Sequence, residues 1–317
     1  MEDEFSFIKN KLRPLAFERK EARGLSDDCA LFPNIDNLVV SVDSSIEGIH
    51  VPIGTDISVQ ARRAILRAIS DLATLGAKPL CVFSSINIPK LFRNMELDNI
   101  AIGFRKALIE YDIFLAGGDI SCYSGPLIFS ITALGDKGNN KLSRKGARKG
   151  DLIVLSGEIG DSFVGLNLLT KKILSLNIEE DKDLINKFLV PNPKIETGLK
   201  ITNFSTSIID ISDGLVADLE HICKNSNVGA EIYLKDIPFS TGSKKYIDSN
   251  VFNYVDLITG GDDYELLFTI NPEDINKLDQ DLYVIGKVID GEGVKVYSVD
   301  NNLVSIKEES RGYKHFK

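Results

Sequence analysis

The sequence predicts a two-domain protein of the α/β class, in which α+β layers are built from strands and helices. Three observations support this fold class. The chain has 317 residues, which is enough for two domains of ordinary size. Strand-like and helix-like segments alternate in both halves of the chain. A polar, glycine-containing stretch, DKGNNKLSRKGARKGD, separates the halves, so we place the domains at residues 1–137 and 138–317.

The first half contains four predicted strands and two predicted helices. The β-branched pattern NLVVSVDSSIEGIH, which ends in polar residues and a glycine, predicts the first strand, and SVQARRAILRAISDLATL predicts a helix with one apolar face. LCVFSSINI predicts the second strand, and MELDNIAIGFRKALIEYD predicts the second helix. IFLAGG predicts a third strand that leads into Asp119, and LIFSITALG predicts a fourth.

The second half restarts with the predicted strand DLIVLSG, the loop EIGDS and the predicted helix FVGLNLLTKKIL. A further strand, TSIIDI, runs into SDGLVADLEHICKN, a predicted helix that Ser212 or Asp213 can cap. YVDLITG, YELLFTI and LYVIGKV predict three more strands. No regular repeat indicates a solenoid.

Composition excludes several classes of function. A net charge of -9 argues against a general nucleic-acid-binding surface. No segment approaches the roughly 20 apolar residues that a membrane span requires. The N-terminal segment MEDEFSFIKNKL lacks the basic start and apolar run of a signal peptide, and the four cysteines are too scattered for a disulfide framework. We therefore expect a cytoplasmic protein that binds neither nucleic acid nor membrane.

Aspartates recur in six clusters, five of which lie at the ends of predicted strands. The clusters are Asp27 with Asp28, Asp43, Asp71, Asp119, Asp210 with Asp213, and Asp262 with Asp263. Each has a structural alternative, such as a helix cap, a turn, or an ion pair between Asp71 and Arg67 one helical turn earlier. Together, however, the carboxylates would repel one another unless cations lay between them, and oxygen ligands of this kind suit magnesium. Magnesium in turn indicates a nucleotide.

The phosphate-binding signatures GxxxxGK[ST] and GxGxxG are absent from the sequence, so a different nucleotide fold is required. The glycines at positions 117, 118, 214, 260 and 261 would let backbone amides approach phosphate oxygens. The three histidines are dispersed, and we assign no general base. An acceptor that is itself a phosphate needs no base, because its oxygen is already an anion.

An ordered set of motifs resembles the thiamine-monophosphate kinase family, which belongs to the aminoimidazole-ribonucleotide-synthetase superfamily. The motifs are SDDCALF, SVDSSIEGIH, SDLATLGAKP, AGGDI, SRKGARKGD, DISDGLVADL and GGDDYELLF. The resemblance extends from about residue 5 to the C-terminal RGYKHF. It implies the two-domain fold of that superfamily, a homodimer formed through the N-terminal domains, and ATP-dependent phosphorylation of thiamine monophosphate to thiamine diphosphate.

The resemblance also implies roles for individual residues. Those that correspond to the ligands of several Mg²⁺ ions are Asp28, Ser41, Val42, Asp43, Asp71, Asp119, Asp210 and Asp213. Those that correspond to ATP contacts are Gly118, Asp119, Arg144 and Ser212. Those that correspond to thiamine-phosphate contacts are His50, Asp262 and Tyr313. Within GGDDYELLF, Asp263 and Glu265 are expected to support the start of the strand.

Three positions depart from the family pattern. Ser26 replaces a glycine, and Asp262 replaces a glutamate that is longer by one methylene group. Val42 replaces a threonine, so this position offers a metal only its main-chain carbonyl. The alternative functions are aminoimidazole ribonucleotide synthetase and selenophosphate synthetase in the same superfamily, and a non-catalytic metal-binding protein outside it.

Overall fold

The computed structural model of the chain describes residues 4–25, 32, 37–137 and 143–313. The described residues form two compact units. The first contains those up to residue 137 except residues 73–76, and the second contains residues 73–76 and 143–313. The predicted domain boundary borders residues 138–142, which lie outside the described part of the chain. Among the described helices, none has the length and apolar character needed to cross a membrane.

The first unit is built on a four-stranded sheet with the strand order β1-β4-β2-β3. Its strands are β1 (Leu38–Ile46), β2 (Lys78–Pro89), β3 (Phe114–Tyr123) and β4 (Ile128–Asp136). Strands β2 and β3 are parallel, and the other two pairs are antiparallel. The helices are α1 (Glu4–Phe7), α2 (Ile57–Ala73) and α3 (Asn94–Glu110). Short π and 3₁₀ segments cover Ile8–Leu12, Arg13–Ala16 and Lys20–Leu25.

The two long helices of the first unit bury the apolar faces that their sequences predict. Ile65, Ile69 and Leu72 of α2 are completely buried. On α3, Phe104 lies with its ring centroid 5.7 Å from that of Phe129 on β4. Burying aromatic and aliphatic side chains of this size is the main stabilising contribution to such a layer.

The second unit contains a seven-stranded mixed sheet with the order β11-β10-β7-β9-β5-β8-β6. The strands are β5 (Leu152–Leu155), β6 (Ser205–Asp210), β7 (Gly229–Tyr233), β8 (Leu266–Ile270), β9 (Tyr283–Ile289), β10 (Gly293–Tyr297) and β11 (Leu303–Val304). The helices are α4 (Asp161–Leu169), α5 (Ile178–Leu189), α6 (Ile195–Ile201), α7 (Leu215–Ser226), α8 (Thr241–Asp248) and α9 (Tyr254–Thr259). Two 3₁₀ segments cover Pro272–Lys277 and Glu308–Ser310.

One predicted strand is wrong. The segment YVDLITG forms α9, because Asn253 accepts hydrogen bonds from Val255 N and Asp256 N, while the Asp256 carboxylate accepts one from Asn253 N. This reciprocal cap satisfies backbone donors at the start of the helix and outweighs the β-branched composition. The sequence reasoning also missed α5 and α6, and it extended α4 beyond its end at Leu169.

Candidate functional site

In the first unit, predicted metal ligands on β1 face helix α2. Ser41 and Asp43 lie on the same side of the strand, since side chains alternate between its two faces. The Ser41 hydroxyl donates a hydrogen bond to Asp71 Oδ2 on α2. Arg67, one helical turn before Asp71, lies with Nη2 3.3 Å from Asp43 Oδ2 and 3.4 Å from Oδ1. The structure therefore brings Ser41, Asp43 and Asp71 together, and it adds Arg67.

Arg67 has a partner that the sequence reasoning did not foresee. The structure pairs the guanidinium with Asp43, 24 residues away in sequence, a contact that helical spacing does not suggest. The guanidinium also donates to the main-chain oxygen of Ser44 at 3.3 Å. Arg67 thus neutralises a carboxylate that the resemblance assigns to magnesium.

Val42 and Asp119 lie apart from this group. The Val42 side chain is 63% exposed on the opposite face of β1, and as an aliphatic group it offers no ligand atom. Asp119 aligns across the sheet with Ser85 and Ser130, and Ser130 aligns with Ser44, which places Asp119 on the same face as Val42. Three strand spacings of about 4.8 Å separate β3 from β1, or about 14 Å. The structure thus does not bring Asp119 together with Asp43, and its predicted role stays a prediction.

Two of the predicted strand ends lie inside strands. Asp43 and Asp119 are interior residues of β1 and β3, because the ladders with β4 and β2 continue beyond them to Ile46 and Tyr123. Gly118, a predicted ATP contact, has a separate structural reason to be glycine. A Cβ atom there would lie 2.0 Å from the carbonyl oxygen of Ser84, so any larger residue would disrupt the pairing of β3 with β2.

His50 lies in the turn that follows β1. Its Nδ1 atom accepts a hydrogen bond from the Ile46 backbone N–H at 3.1 Å. A ring that accepts through Nδ1 carries its hydrogen on Nε2 when neutral, so His50 is set up as an Nε2–H donor. Glu47 stabilises the same turn by accepting from Gly54 N at 3.1 Å and from the Gln60 side chain at 3.2 Å.

In the second unit, three loops meet at one edge of the sheet. Strand β8 pairs antiparallel with both β5 and β6, so the ends of β5 and β6 lie beside the start of β8. The loop after β6 is tied to the loop before β8 by three backbone hydrogen bonds. They run from Ile211 N to Glu265 O at 2.8 Å, from Tyr264 N to Ile211 O at 2.8 Å, and from Asp262 N to Ser212 O at 2.9 Å. The same end of the sheet therefore carries four of the predicted site residues, namely Asp210, Ser212, Asp213 and Asp262.

Glycine makes the close approach of these two loops possible. A Cβ atom on Gly261 would lie 2.3 Å from the carbonyl oxygen of Ser212. The amide of Gly214 is engaged inside the protein, since it donates to Asp218 at 3.2 Å. Gly260 N likewise donates to the carbonyl of Asp256. The amides of Gly214 and Gly260 serve the fold, which differs from the expectation that they approach phosphate oxygens.

Asp218, the fourth residue of α7, was missed by the sequence reasoning. Its Oδ2 atom accepts hydrogen bonds from the backbone N–H groups of Ser212, Asp213 and Gly214 at 3.0, 3.1 and 3.2 Å. The prediction that Ser212 or Asp213 caps this helix is wrong, because the N-cap is Gly214 and no side-chain cap is present. The position of Asp218 in the first turn of the predicted helix could have indicated this role, since a carboxylate near a helix N-terminus attracts N–H groups.

The electrostatics of this turn reflect several carboxylates close together. Burial raises the pKa of Asp218 well above its ordinary value, the carboxylates of Asp210 and Asp213 add to the rise, and the backbone N–H donors oppose it. Among the described residues, ligand atoms of Asp213, Asp218 and His221 lie within 4.8 Å of one another. His221 itself is exposed on this helix.

The three acids of GGDDYELLF have different partners. Asp262 has a left-handed backbone conformation with φ of 71°, and its Oδ1 atom accepts from the Tyr264 hydroxyl at 2.9 Å. Asp263 accepts from Gly160 N at 2.9 Å and Ser162 N at 3.4 Å at the start of α4. The buried Glu265 accepts from the Ser156 hydroxyl and forms an ion pair with Lys194 at 2.9 Å. Asp263 and Glu265 therefore support the start of β8 from within the fold.

The two remaining predicted contacts of the second unit lie at different places. Tyr313 N donates to the carbonyl oxygen of Asp213 at 3.0 Å, which brings the C-terminal segment to the turn after β6. The Tyr313 side chain is half exposed. Arg144 lies instead beside the middle of β6, because Ile208 N donates to Ser143 O at 3.1 Å and the Ser226 hydroxyl donates to Arg144 O at 3.5 Å. Asp28 lies outside the described residues.

The donors in both units suit a hard cation. Ser41, Asp43 and Asp71 in the first unit and Asp210 and Asp213 in the second offer hydroxyl and carboxylate oxygens. Oxygen donors of this kind are the ligands that magnesium prefers, whereas zinc and copper sites are richer in histidine and cysteine.

Comparison with known proteins identifies the family. Two family models match the chain, namely the AIR synthase related protein N-terminal domain at residues 26–136 and the C-terminal domain at residues 148–299. Thiamine-monophosphate kinase of Buchnera aphidicola subsp. Schizaphis graminum is 38% identical over an alignment 278 residues long, which covers 86% of this chain and 83% of that protein. The chain belongs to the thiamine-monophosphate kinase family. The enzyme of the same name from Escherichia coli is 31% identical over an alignment 326 residues long, gaps included, which covers 99% of this chain and 98% of that protein.

Solved structures agree with this assignment. AaThiL complexed with AMPPCP and TMP has a TM-score of 0.79 and 32% identity, and the match covers 88% of this chain and 87% of that one. Thiamine-monophosphate kinase from Stenotrophomonas maltophilia has a TM-score of 0.83 and 30% identity over 94% of this chain and 97% of that one. The hydrogenase maturation protein HypE of E. coli, at 18% identity and a TM-score of 0.76, shows the fold alone. The predicted fold class and the prediction of an enzyme of this family are confirmed.

Proposed function

We propose that this protein transfers the γ-phosphoryl group of ATP to the phosphate of thiamine monophosphate, giving thiamine diphosphate and ADP. The observation that carries the proposal is the similarity, over most of both chains, to a structure that holds AMPPCP and TMP. The acidic side chains of the two units support it, because phosphoryl transfer between phosphates requires charge neutralisation and positioning more than proton transfer.

We propose that Asp28, Ser41, the carbonyl of Val42, Asp43, Asp71 and Asp119 in the first unit, and Asp210 and Asp213 in the second, are the ligands of magnesium. Bound magnesium would neutralise the negative charge of the phosphate oxygens. Two of the proposed carboxylate ligands in the first unit, those of Asp43 and Asp71, already have partners within the chain. The Ser41 hydroxyl holds the Asp71 carboxylate, and Arg67 holds that of Asp43. Ligands held in this way lose less conformational freedom when a cation binds.

For the two substrates, we propose that Gly118, Asp119, Arg144 and Ser212 contact ATP, and that His50, Asp262 and Tyr313 contact thiamine monophosphate. His50 can donate through Nε2 to a phosphate oxygen, because its Nδ1 atom is occupied as an acceptor. Asp262 carries a negative charge that suits the cationic thiamine ring system, and the Tyr264 hydroxyl fixes the orientation of this carboxylate. None of these residues is required to act as a general base.

We further propose a homodimer formed through the first unit. Leu38, Val40 and Val42 lie on one face of β1 and are 46%, 53% and 63% exposed. Three neighbouring apolar side chains on one face of an edge strand are unusual for a surface exposed to water, and a second copy of the chain would bury them. The predicted cytoplasmic location stays a prediction.

A coupled assay of ADP release tests the proposed function. Release from ATP is expected to require thiamine monophosphate, and thiamine diphosphate should form in equal amount. ADP release at the same rate without thiamine monophosphate, or release that depends instead on formylglycinamidine ribonucleotide or selenide, would assign the chain a different activity.

A further inference from the structure

Asp218 is a buried acid at the start of helix α7 with an unusual set of partners. Asp218 is only 2% exposed. A single carboxylate oxygen accepts three consecutive backbone N–H groups, those of Ser212, Asp213 and Gly214. N–H groups in front of a helix commonly bind an external anion, such as a phosphate. Here the protein supplies the acceptor itself, so the three donors are satisfied before any substrate arrives.

The carbonyl groups of the same turn face other segments. Ser212 O accepts from Asp262 N at 2.9 Å, and Asp213 O accepts from Tyr313 N at 3.0 Å. The turn therefore has its donors bound to Asp218 and two of its acceptors bound to the segments that carry the proposed thiamine-phosphate contacts. A shift of the turn would move Asp213 and would also change the positions of Asp262 and Tyr313.

We propose that Asp218 is a positioning residue, which fixes the Ser212–Gly214 turn and thereby sets the geometry of the nucleotide side and the thiamine-phosphate side of the site together. This inference rests on the proposed function. Asp218 is not required to touch either substrate. Its contribution is preorganisation, because three hydrogen bonds to one buried acceptor hold the turn in the conformation that binding needs.

The chain offers a matched control in Asp181 on α5. Asp181 is also buried, at 5% exposure, and its Oδ1 atom accepts from the Tyr246 hydroxyl at 2.7 Å. Helix α5 packs against α4 and α8. Among the described residues, the hydrogen bond of the Asp181 side chain comes from Tyr246 and not from the Ser212–Gly214 turn. Asp181→Asn and Asp218→Asn therefore make the same chemical change at two buried positions, only one of which holds the turn.

The experiment compares both variants with wild type in three measurements. These are the melting temperature without ligands, the binding of Mn²⁺ in place of Mg²⁺ without turnover, and the steady-state constants for Mg²⁺ and thiamine monophosphate. Asp218→Asn is expected to weaken Mn²⁺ binding and to raise both the half-activating Mg²⁺ concentration and KM for thiamine monophosphate at least tenfold. Asp181→Asn is expected to lower the melting temperature but to change these constants less than twofold.

Two outcomes would overturn the proposal. One is an Asp218→Asn variant whose Mn²⁺ binding and steady-state constants match those of wild type. The other is an Asp181→Asn variant that changes them as much as Asp218→Asn does, because the effect would then reflect general destabilisation. Wild-type turnover with thiamine monophosphate is measured in the same series, so failure of the proposed function is recognised separately.

Amide hydrogen exchange in the wild-type protein provides a test that does not depend on a folded variant. The amides of Ser212, Asp213 and Gly214 are expected to be protected at least a hundredfold relative to an open loop, in the absence of nucleotide and metal. Exchange of all three at the rate of an open loop would show that Asp218 does not hold the turn, and would overturn the proposal even if Asp218→Asn fails to fold.

Discussion

The substitution Asp43→Asn separates two accounts of the acids in the first unit. Clustered carboxylates that repel one another would gain stability when one is neutralised. The structure instead gives Asp43 a cationic partner, with Arg67 Nη2 at 3.3 Å and side-chain exposures of 11% for Arg67 and 29% for Asp43. Removing the carboxylate charge leaves this mostly buried guanidinium with a weaker acceptor. We therefore expect the metal-free protein to lose about 1 kcal/mol of stability, between the values for exposed and for buried ion pairs.

Thermal unfolding in EDTA measures this loss, which corresponds to a decrease of about 3 °C in melting temperature. Glu110→Gln is the matched control, because Glu110 at the end of α3 forms an ion pair with Arg62 of α2, the helix that also carries Arg67, with side-chain exposures of 40% for Glu110 and 27% for Arg62. Glu110→Gln should lower the stability of the metal-free protein by a comparable amount or less. Magnesium and ATP should stabilise wild type and Glu110→Gln by about 3 kcal/mol at a hundredfold excess over Kd. They should stabilise Asp43→Asn far less, and its activity should fall by orders of magnitude.

Two results would refute this reasoning in different ways. A melting temperature of Asp43→Asn at or above that of wild type in EDTA would show that repulsion among carboxylates outweighs the pairing with Arg67. A normal increase in melting temperature on addition of magnesium and ATP would show that Asp43 is not a metal ligand.

Three further predictions follow from the site. Activity should vanish in EDTA and return with magnesium, and undiminished turnover in metal-free buffer would contradict the metal assignment. Asp262→Asn keeps an acceptor for the Tyr264 hydroxyl, so it should raise KM for thiamine monophosphate severalfold with little change in KM for ATP or in melting temperature; a loss of ATP affinity would place Asp262 at the nucleotide instead. Burial raises the pKa of Asp263 in the folded protein, so above about pH 4 the folded state holds a proton that the unfolded state releases. The stability of wild type should therefore fall with rising pH until the raised pKa is passed, whereas Asp263→Asn lacks this contribution. A stability difference that does not vary between pH 4 and 8 would contradict this.

Local patterns predicted much of the fold. The apolar spacing of Ile65, Ile69 and Leu72 identified α2, and all three are buried. The buried run after GGDDYE identified β8. The strand interpretation of YVDLITG failed because the decisive contact is a short-range cap by Asn253, which competes with a strand-like composition.

The arrangement of the site depends on contacts that are distant in sequence. The antiparallel pairing of β6 with β8 places the turn after Asp210 beside Asp262, and no local pattern specifies which strands are neighbours. The pairing of Arg67 with Asp43 likewise depends on how α2 packs against β1. The order of the motifs identified the candidate site residues, whereas their hydrogen-bond and ion-pair partners could be identified only from the folded structure.

The most direct test of the central claim compares two acceptors, thiamine monophosphate and thiamine, with ATP and magnesium. Phosphorylated products are separated by chromatography and quantified against ADP. The account predicts thiamine diphosphate from thiamine monophosphate and no measurable product from thiamine, because the site provides charge neutralisation and no assigned base to deprotonate an alcohol. Equal turnover of the two acceptors, or no turnover of thiamine monophosphate, would contradict it.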